Sequence, residues 1–132
     1  MAGEKRATSV LFVDDEHPIR ELFGRALIAA GMEFDGAADG NKALGKLDQR
    51  RYDAVVIDII MPDREGVETI VEIRKLRPEI FIIAISGGGR IGADDFLKLA
   101  KMVGADRTLT KPFTPAQLIA TLAERPVPQI KD

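Results

Sequence analysis

Four short apolar runs punctuate this chain, and each stops at a polar residue. They are Val10-Leu11-Phe12-Val13, Ala54-Val55-Val56-Ile57, Ile80-Phe81-Ile82-Ile83-Ala84-Ile85 and Arg107-Thr108-Leu109-Thr110. Three of them carry Val and Ile without polar alternation, the pattern of strands buried on both faces of a parallel sheet. Glu33-Phe34-Asp35-Gly36-Ala37 alternates instead, which predicts a weaker fifth strand at a sheet edge. Between the runs the apolar spacing switches to three and four. Ile19, Leu22, Phe23, Ala26, Leu27 and Ala30 form one stripe, with Pro18 suited to the first helical turn and Gly31 to the stop. Further stripes fall at Ala43, Leu44 and Leu47; at Val67, Ile70, Val71 and Ile73, ending before Pro78; and at Phe96, Leu99, Ala100 and Val103, stopped by Gly104. The last is Leu118, Ile119 and Leu122, with Thr114 as N-cap and Pro115 in the first turn.

The resulting order is strand then helix, five times over. Right-handed crossovers place helices on both faces of a five-stranded parallel sheet, an α/β fold. In such a sheet the carboxyl ends of the strands share one rim, where ligands bind in a crevice. That rim receives whatever follows each apolar run: Asp14 and Asp15, Asp58, Ser86, and Lys111 followed by Pro112.

Composition narrows the field without changing this picture. At 132 residues with 45% apolar and 30% charged residues, the chain suits one globular domain with a substantial core. A net charge of −2 offers no general argument for nucleic-acid or membrane binding, and direct contact with either is not expected. No cysteine is present, which excludes disulfides, zinc-thiolate sites and thiol catalysis. The polar start and the absence of a long apolar run leave a cytoplasmic location as the default, without membrane insertion. Residues 1–7 and 125–132 read as flexible termini around a domain at 8–124.

The rim residues carry the chemistry. Two carboxylates about 4 Å apart repel by about 4 kcal/mol at an effective dielectric near 20. Asp14, Asp15 and Asp58, offset only by Lys111, therefore call for a hard divalent cation with oxygen ligands; Mg²⁺ favours one or two carboxylates plus phosphate oxygens. A carboxylate such as Asp58 can act as nucleophile toward phosphorus. The Ser86 hydroxyl and the Lys111 ammonium then suit two of the phosphoryl oxygens.

Val13-Asp14-Asp15-Glu16, Val56-Ile57-Asp58-Ile59-Ile60-Met61-Pro62 with Gly66, Ile85-Ser86-Gly87 and Thr110-Lys111-Pro112-Phe113 together resemble the signature of response-regulator receiver domains, over roughly residues 8 to 124. The resemblance implies a flavodoxin-like, doubly wound sheet with strand order 2-1-3-4-5. It implies that Asp58 accepts a phosphoryl group from the phosphohistidine of a sensor histidine kinase or histidine phosphotransfer protein. Asp15 then matches the direct metal ligand and Asp14 the acid acting mainly through water; the Ile60 carbonyl completes the protein ligands. Ser86 matches the switch hydroxyl, Lys111 the phosphate-binding lysine, and the Lys111–Pro112 bond is expected to be cis. Such a chain is not an enzyme toward other substrates: it catalyses only its own phosphorylation and dephosphorylation. It passes the signal to a downstream protein partner as a monomer or weak homodimer.

Three positions depart from the family pattern or qualify it. Thr108 stands where many receivers have an aromatic residue coupled to the switch hydroxyl, so the output is expected to run through the fourth helix, the fifth strand and the fifth helix, and through the loop containing Gly87 and Gly88. Gly87-Gly88-Gly89-Arg90 reads as a hinge, because the strand–glycine–Lys-Ser/Thr context of a P-loop is missing. Ile60 and Gly88, two residues beyond Asp58 and Ser86, offer no side chain able to orient an attacking water, pointing to slow self-hydrolysis. His17, the single histidine, reads as a polar residue at a helix entrance. Two rival readings are a Mg²⁺-dependent aspartyl-phosphate phosphatase like the haloacid dehalogenases and a phosphorylation-independent interaction module. The first wants Asp-x-Asp on the first strand, which Asp14-Asp15-Glu16 does not provide.

Overall fold

The computed structural model describes residues 7–59, 66–87 and 93–126, with the side chains of residues 93–96 outside the description. Its elements are β1 (Ser9–Val13), α1 (His17–Ala29), β2 (Glu33–Ala37), α2 (Gly40–Gln49), β3 (Ala54–Asp58), α3 (Gly66–Leu76), β4 (Phe81–Gly87), α4 (Ala93–Val103), β5 (Arg107–Lys111) and α5 (Pro115–Leu122). All pairings are parallel and the strand order is β2-β1-β3-β4-β5. This is the flavodoxin-like, doubly wound sheet expected from the sequence.

Period two explains why the central runs are apolar throughout. Leu11, Val13, Val55, Ile57, Ile82 and Ala84 face one layer, where they meet Leu47 of α2, Ile70 and Ile73 of α3, and Leu97 and Ala100 of α4. Their neighbours Val10, Phe12, Ala54, Val56, Ile83 and Ile85 face the other, against Phe23 and Leu27 of α1 and Leu118 and Leu122 of α5. Phe12 and Phe23 stack with ring centroids 5.4 Å apart, joining β1 to α1. The edge strand β2 is only partly buried, in keeping with its alternating pattern.

Helix ends follow the sequence signals. Gly31 and Gly104 have φ of +89° and +133°, conformations that favour glycine and that stop α1 and α4. The Thr114 hydroxyl accepts from the Gln117 N–H while the Gln117 side chain accepts from the Thr114 N–H, a reciprocal cap on α5. Asp39 caps α2 through the Lys42 N–H.

One member of each of two predicted stripes does not face the core. Leu22 is 54% exposed and Leu99 42%, although both were assigned to inward faces. On α1 the layer is filled by Phe23 and Leu27, which leaves Leu22 at the rim of the helix. On α4, among the described side chains, Leu97 and Ala100 point inward with Val103 packed beside them, and Leu99 turns out beside Met102; the side chain of Phe96 lies outside the description. No described helix is long and apolar enough to cross a membrane.

Candidate functional site

In a sheet of order 2-1-3-4-5 the direction in which strands are added reverses between β1 and β3, and the crevice opens beyond their carboxyl ends. Val13 is in register with Ile57, so the next residues, Asp14 and Asp58, stand level across the switch point. Asp14 is fully buried, and Asp58 is 6% exposed. Asp15, one residue further, is exposed. One carboxylate oxygen from each of Asp14, Asp15 and Asp58 lies within 4.8 Å of the others. The donors are all hard oxygens, and no histidine or cysteine belongs to the group. This set fits a hard divalent cation such as Mg²⁺ and does not favour zinc or copper.

The local backbone holds the acids in place. The Asp14 N–H continues the β1–β2 ladder by donating to the Ala37 carbonyl at 3.1 Å. Asp14 Oδ1 accepts the Glu16 N–H at 2.9 Å, which turns the chain into α1. At the other side of the switch point the Ile59 N–H donates to the Ile85 carbonyl at 2.9 Å and keeps Asp58 at the end of β3.

Lys111 reaches the same cluster from β5. Its Nζ donates to Asp58 Oδ2 at 3.0 Å and to Asp14 Oδ2 at 3.2 Å. Burial pulls the Lys111 pKa down, but the hydrogen bond and charge of Asp58, and then those of Asp14, outweigh it, and the net shift is upward. The ammonium therefore stays charged at neutral pH. The Lys111–Pro112 bond is cis, as the sequence motif implied.

Ser86, next to last in β4, is fully buried. Its Oγ has no hydrogen-bond partner among the described residues. A buried hydroxyl without a partner is costly, and a ligand oxygen or a rotation of the side chain would relieve it. Thr108, in β5 opposite Ala84, is half-buried. Gly87 ends β4 opposite Lys111. Ile60 and Gly88 lie outside the described residues, as do residues 89 and 90 of the glycine-rich segment.

Two contributors to this geometry have no assigned role in the sequence reading. Arg20 of α1 donates to the Asp14 carbonyl at 2.6 Å. Helical side chains lean toward the helix N-terminus, so an arginine in the first turn and a half of α1 was the available signal. Gly66, quoted only as part of a motif, starts α3 against the backbone of Asp58 and Ile59. An added Cβ would lie 2.3 Å from Ile59 Cα and 2.7 Å from the Asp58 carbonyl oxygen.

Comparison with known proteins agrees with this geometry. The family described as response regulator receiver domain matches residues 10–123. The chain belongs to the response-regulator receiver family. It is 34% identical over 120 residues to the transcriptional regulatory protein TcrA of Mycobacterium tuberculosis, covering 91% of this chain and 46% of that protein. It is also 34% identical over 116 residues to the phosphate regulon transcriptional regulatory protein PhoB of Pseudomonas aeruginosa, covering 86% of this chain and 49% of that one. The chain thus spans about half the length of the curated relatives it matches. Among solved structures, the chemotaxis protein CheY4 of Vibrio cholerae superposes with a TM-score of 0.82 at 32% identity, covering 91% of this chain and 99% of that one. This receiver domain therefore shares both fold and family with proteins of two-component signalling.

Proposed function

We propose that this receiver domain is a phosphoacceptor switch and that Asp58 takes the phosphoryl group. The observation that carries the reading is the convergence of Lys111 on Asp58 and Asp14, beside three carboxylates close enough to share one cation.

In the reaction, an Asp58 carboxylate oxygen attacks the phosphorus of a phosphohistidine on a sensor kinase or phosphotransfer protein. The new O–P bond forms as the P–N bond breaks, and the imidazole leaves as the neutral ring after taking up a proton. Transfer of this kind depends on alignment and charge neutralisation rather than on covalent help from the protein. Asp14, Asp15 and Asp58 would hold Mg²⁺, with the Ile60 carbonyl; when bound, the ion supplies charge neutralisation to the phosphoryl oxygens. Lys111 keeps its charge and moves from the Asp58 carboxylate to a phosphoryl oxygen. Ser86 contributes its free hydroxyl to another.

Phosphorylation adds about −1.5 to −2 charge to the crevice. Contacts from Lys111 and Ser86 differ between the two states, which is the condition for any shift in population. Thr108 lacks the ring that would report a Ser86 movement, so the output passes through the segment beginning at Gly87 and Gly88 and through α4, β5 and α5 to a downstream protein. The nucleophile stands on β3, not on β1 where the phosphatase alternative wants it.

Phosphoramidate, a small P–N donor chemically akin to phosphohistidine, tests the chemistry. With Mg²⁺ it should label the chain, and hydroxylamine should release the label as expected for an acyl phosphate. No label at any Mg²⁺ concentration would contradict the reading.

A further inference from the structure

We propose that Arg20 is a positioning residue for the acid pair, fixing the Asp14–Asp15 peptide so that both carboxylates are set for a cation before one arrives. This rests on the metal-dependent reading of the site given above. Three observations carry it. Arg20 Nη1 donates to the carbonyl of Asp14 at 2.6 Å, which is the oxygen of the peptide joining the two acids. The N–H of Asp14 is already held by the Ala37 carbonyl and its Oδ1 by the Glu16 N–H. Arg20 therefore adds a direct restraint on the carbonyl of the peptide plane from which Asp15 departs. Asp15 itself is exposed.

The second observation is the bed on which the arginine lies. Gly36 of β2 sits under its side chain, and a Cβ there would come within 3.2 Å of Arg20 Cδ and 3.5 Å of Nε. Gly36 does not adopt a positive φ, so its backbone conformation is open to any residue. Glycine weakens a strand, and a close approach is the common reason to find one. The third is Arg20 Nη2, which lies 3.3 Å from His17 Nδ1 and anchors the far side of the guanidinium to the first turn of α1. The group is thus braced between strand and helix with one N–H aimed at the Asp14 carbonyl.

Groups that orient metal-binding residues typically change metal affinity by about tenfold or more when removed. The test uses the full chain, unphosphorylated, and Mn²⁺ as a paramagnetic probe for the Mg²⁺ site, with binding read by electron paramagnetic resonance. Arg20→Ala should weaken Mn²⁺ binding by about tenfold, and Arg20→Lys, which keeps one donor but not the fork, should lie between. Gly36→Ala should weaken binding in the wild-type background and have no further effect in the Arg20→Ala background, because the two changes break one contact. Melting of the metal-free variants, read by circular dichroism, separates this from general loss of folding. Equal Mn²⁺ affinity in wild type and Arg20→Ala, or additive effects of the two substitutions, would overturn the inference while leaving the metal site standing. Failure of the wild type to bind Mn²⁺ would overturn the metal reading itself, and the inference with it.

Discussion

Lys111 Nζ stands 3.0 Å from Asp58 Oδ2, an ion pair spanning β5 and β3 across the strand between them. Neighbouring strands are about 4.8 Å apart, so the lysine and aspartate side chains together bridge two strand spacings. The same nitrogen holds Asp14 at 3.2 Å, which makes it the counter-ion for two buried acids at once.

Removing that counter-ion should leave Asp14 and Asp58 buried without compensation. Lys111→Met is expected to destabilise the metal-free domain by about 3 kcal/mol, the usual scale for breaking a buried pair from one side. Because a divalent cation would replace the lost charge, Mg²⁺ should restore part of the stability in the variant and more than it adds to wild type. Urea denaturation with and without Mg²⁺ checks this. The raised pKa sets the pH window: the contribution is whole below 10.5, the value for a free lysine, and is lost as pH rises through the higher folded value. The alkaline decline in stability should accordingly be shallower in Lys111→Met.

Ser86 should behave in the opposite sense. Its buried Oγ lacks a partner among the described residues, so Ser86→Ala removes an unsatisfied polar group and should stabilise the unphosphorylated domain by about 1 kcal/mol. In the phosphorylated form the variant should lose the stabilisation that the hydroxyl gives the phosphoryl group. Thermal melts of both forms, wild type against variant, distinguish the two effects.

Gly66 should tolerate no side chain. A methyl group would collide with main-chain atoms of Asp58 and Ile59, not with a flexible side-chain tip. Gly66→Ala is expected to cost about 3 kcal/mol and to slow phosphorylation, because relief must shift the start of α3 against the end of β3 that carries Asp58. Denaturation midpoints and the initial rate of labelling provide the readouts.

A second polar cluster, on the edge strand, offers a control for stability without chemistry. The Tyr52 hydroxyl donates to Asp35 Oδ2 at 2.7 Å, and Lys46 Nζ lies 3.2 Å from Oδ1. Burial raises the Asp35 pKa, but the Tyr52 and Lys46 hydrogen bonds and the Lys46 charge together bring it below 3.8. A lowered pKa gives stability that is present above 3.8 and lost as pH falls through the folded value. Tyr52→Phe should therefore reduce stability at neutral pH by about 1–2 kcal/mol and flatten the decline below pH 3.8. Melting temperature across the acid range tests the sign, and the phosphorylation rate should not change.

Much of this arrangement was legible in the chain because strand ends and chemistry coincide. Asp14, Asp58 and Ser86 each follow an uninterrupted apolar run, Lys111 follows the more polar stretch at 107–110, and parallel strands bring such ends to one rim. Period two hid nothing in β1, β3 and β4, since both faces are covered. The outward turn of Leu22 and Leu99 was less accessible: α4 carries Leu97, Leu99 and Met102 on different sides, and only the sheet beneath decides that Leu97 turns inward. Arg20 was missed for a different reason. Its contact is to a main-chain carbonyl, so its place near the start of α1 is the sequence signal while the acceptor itself is not marked.

The central claim is that one carboxyl group, on Asp58, becomes an acyl phosphate. Intact mass after incubation with Mg²⁺ and acetyl phosphate, wild type beside Asp58→Asn, tests it most directly. Wild type should gain the mass of one phosphoryl group and the variant none. The same gain in both, or a gain in neither while the wild type is folded and binds Mg²⁺, would contradict it.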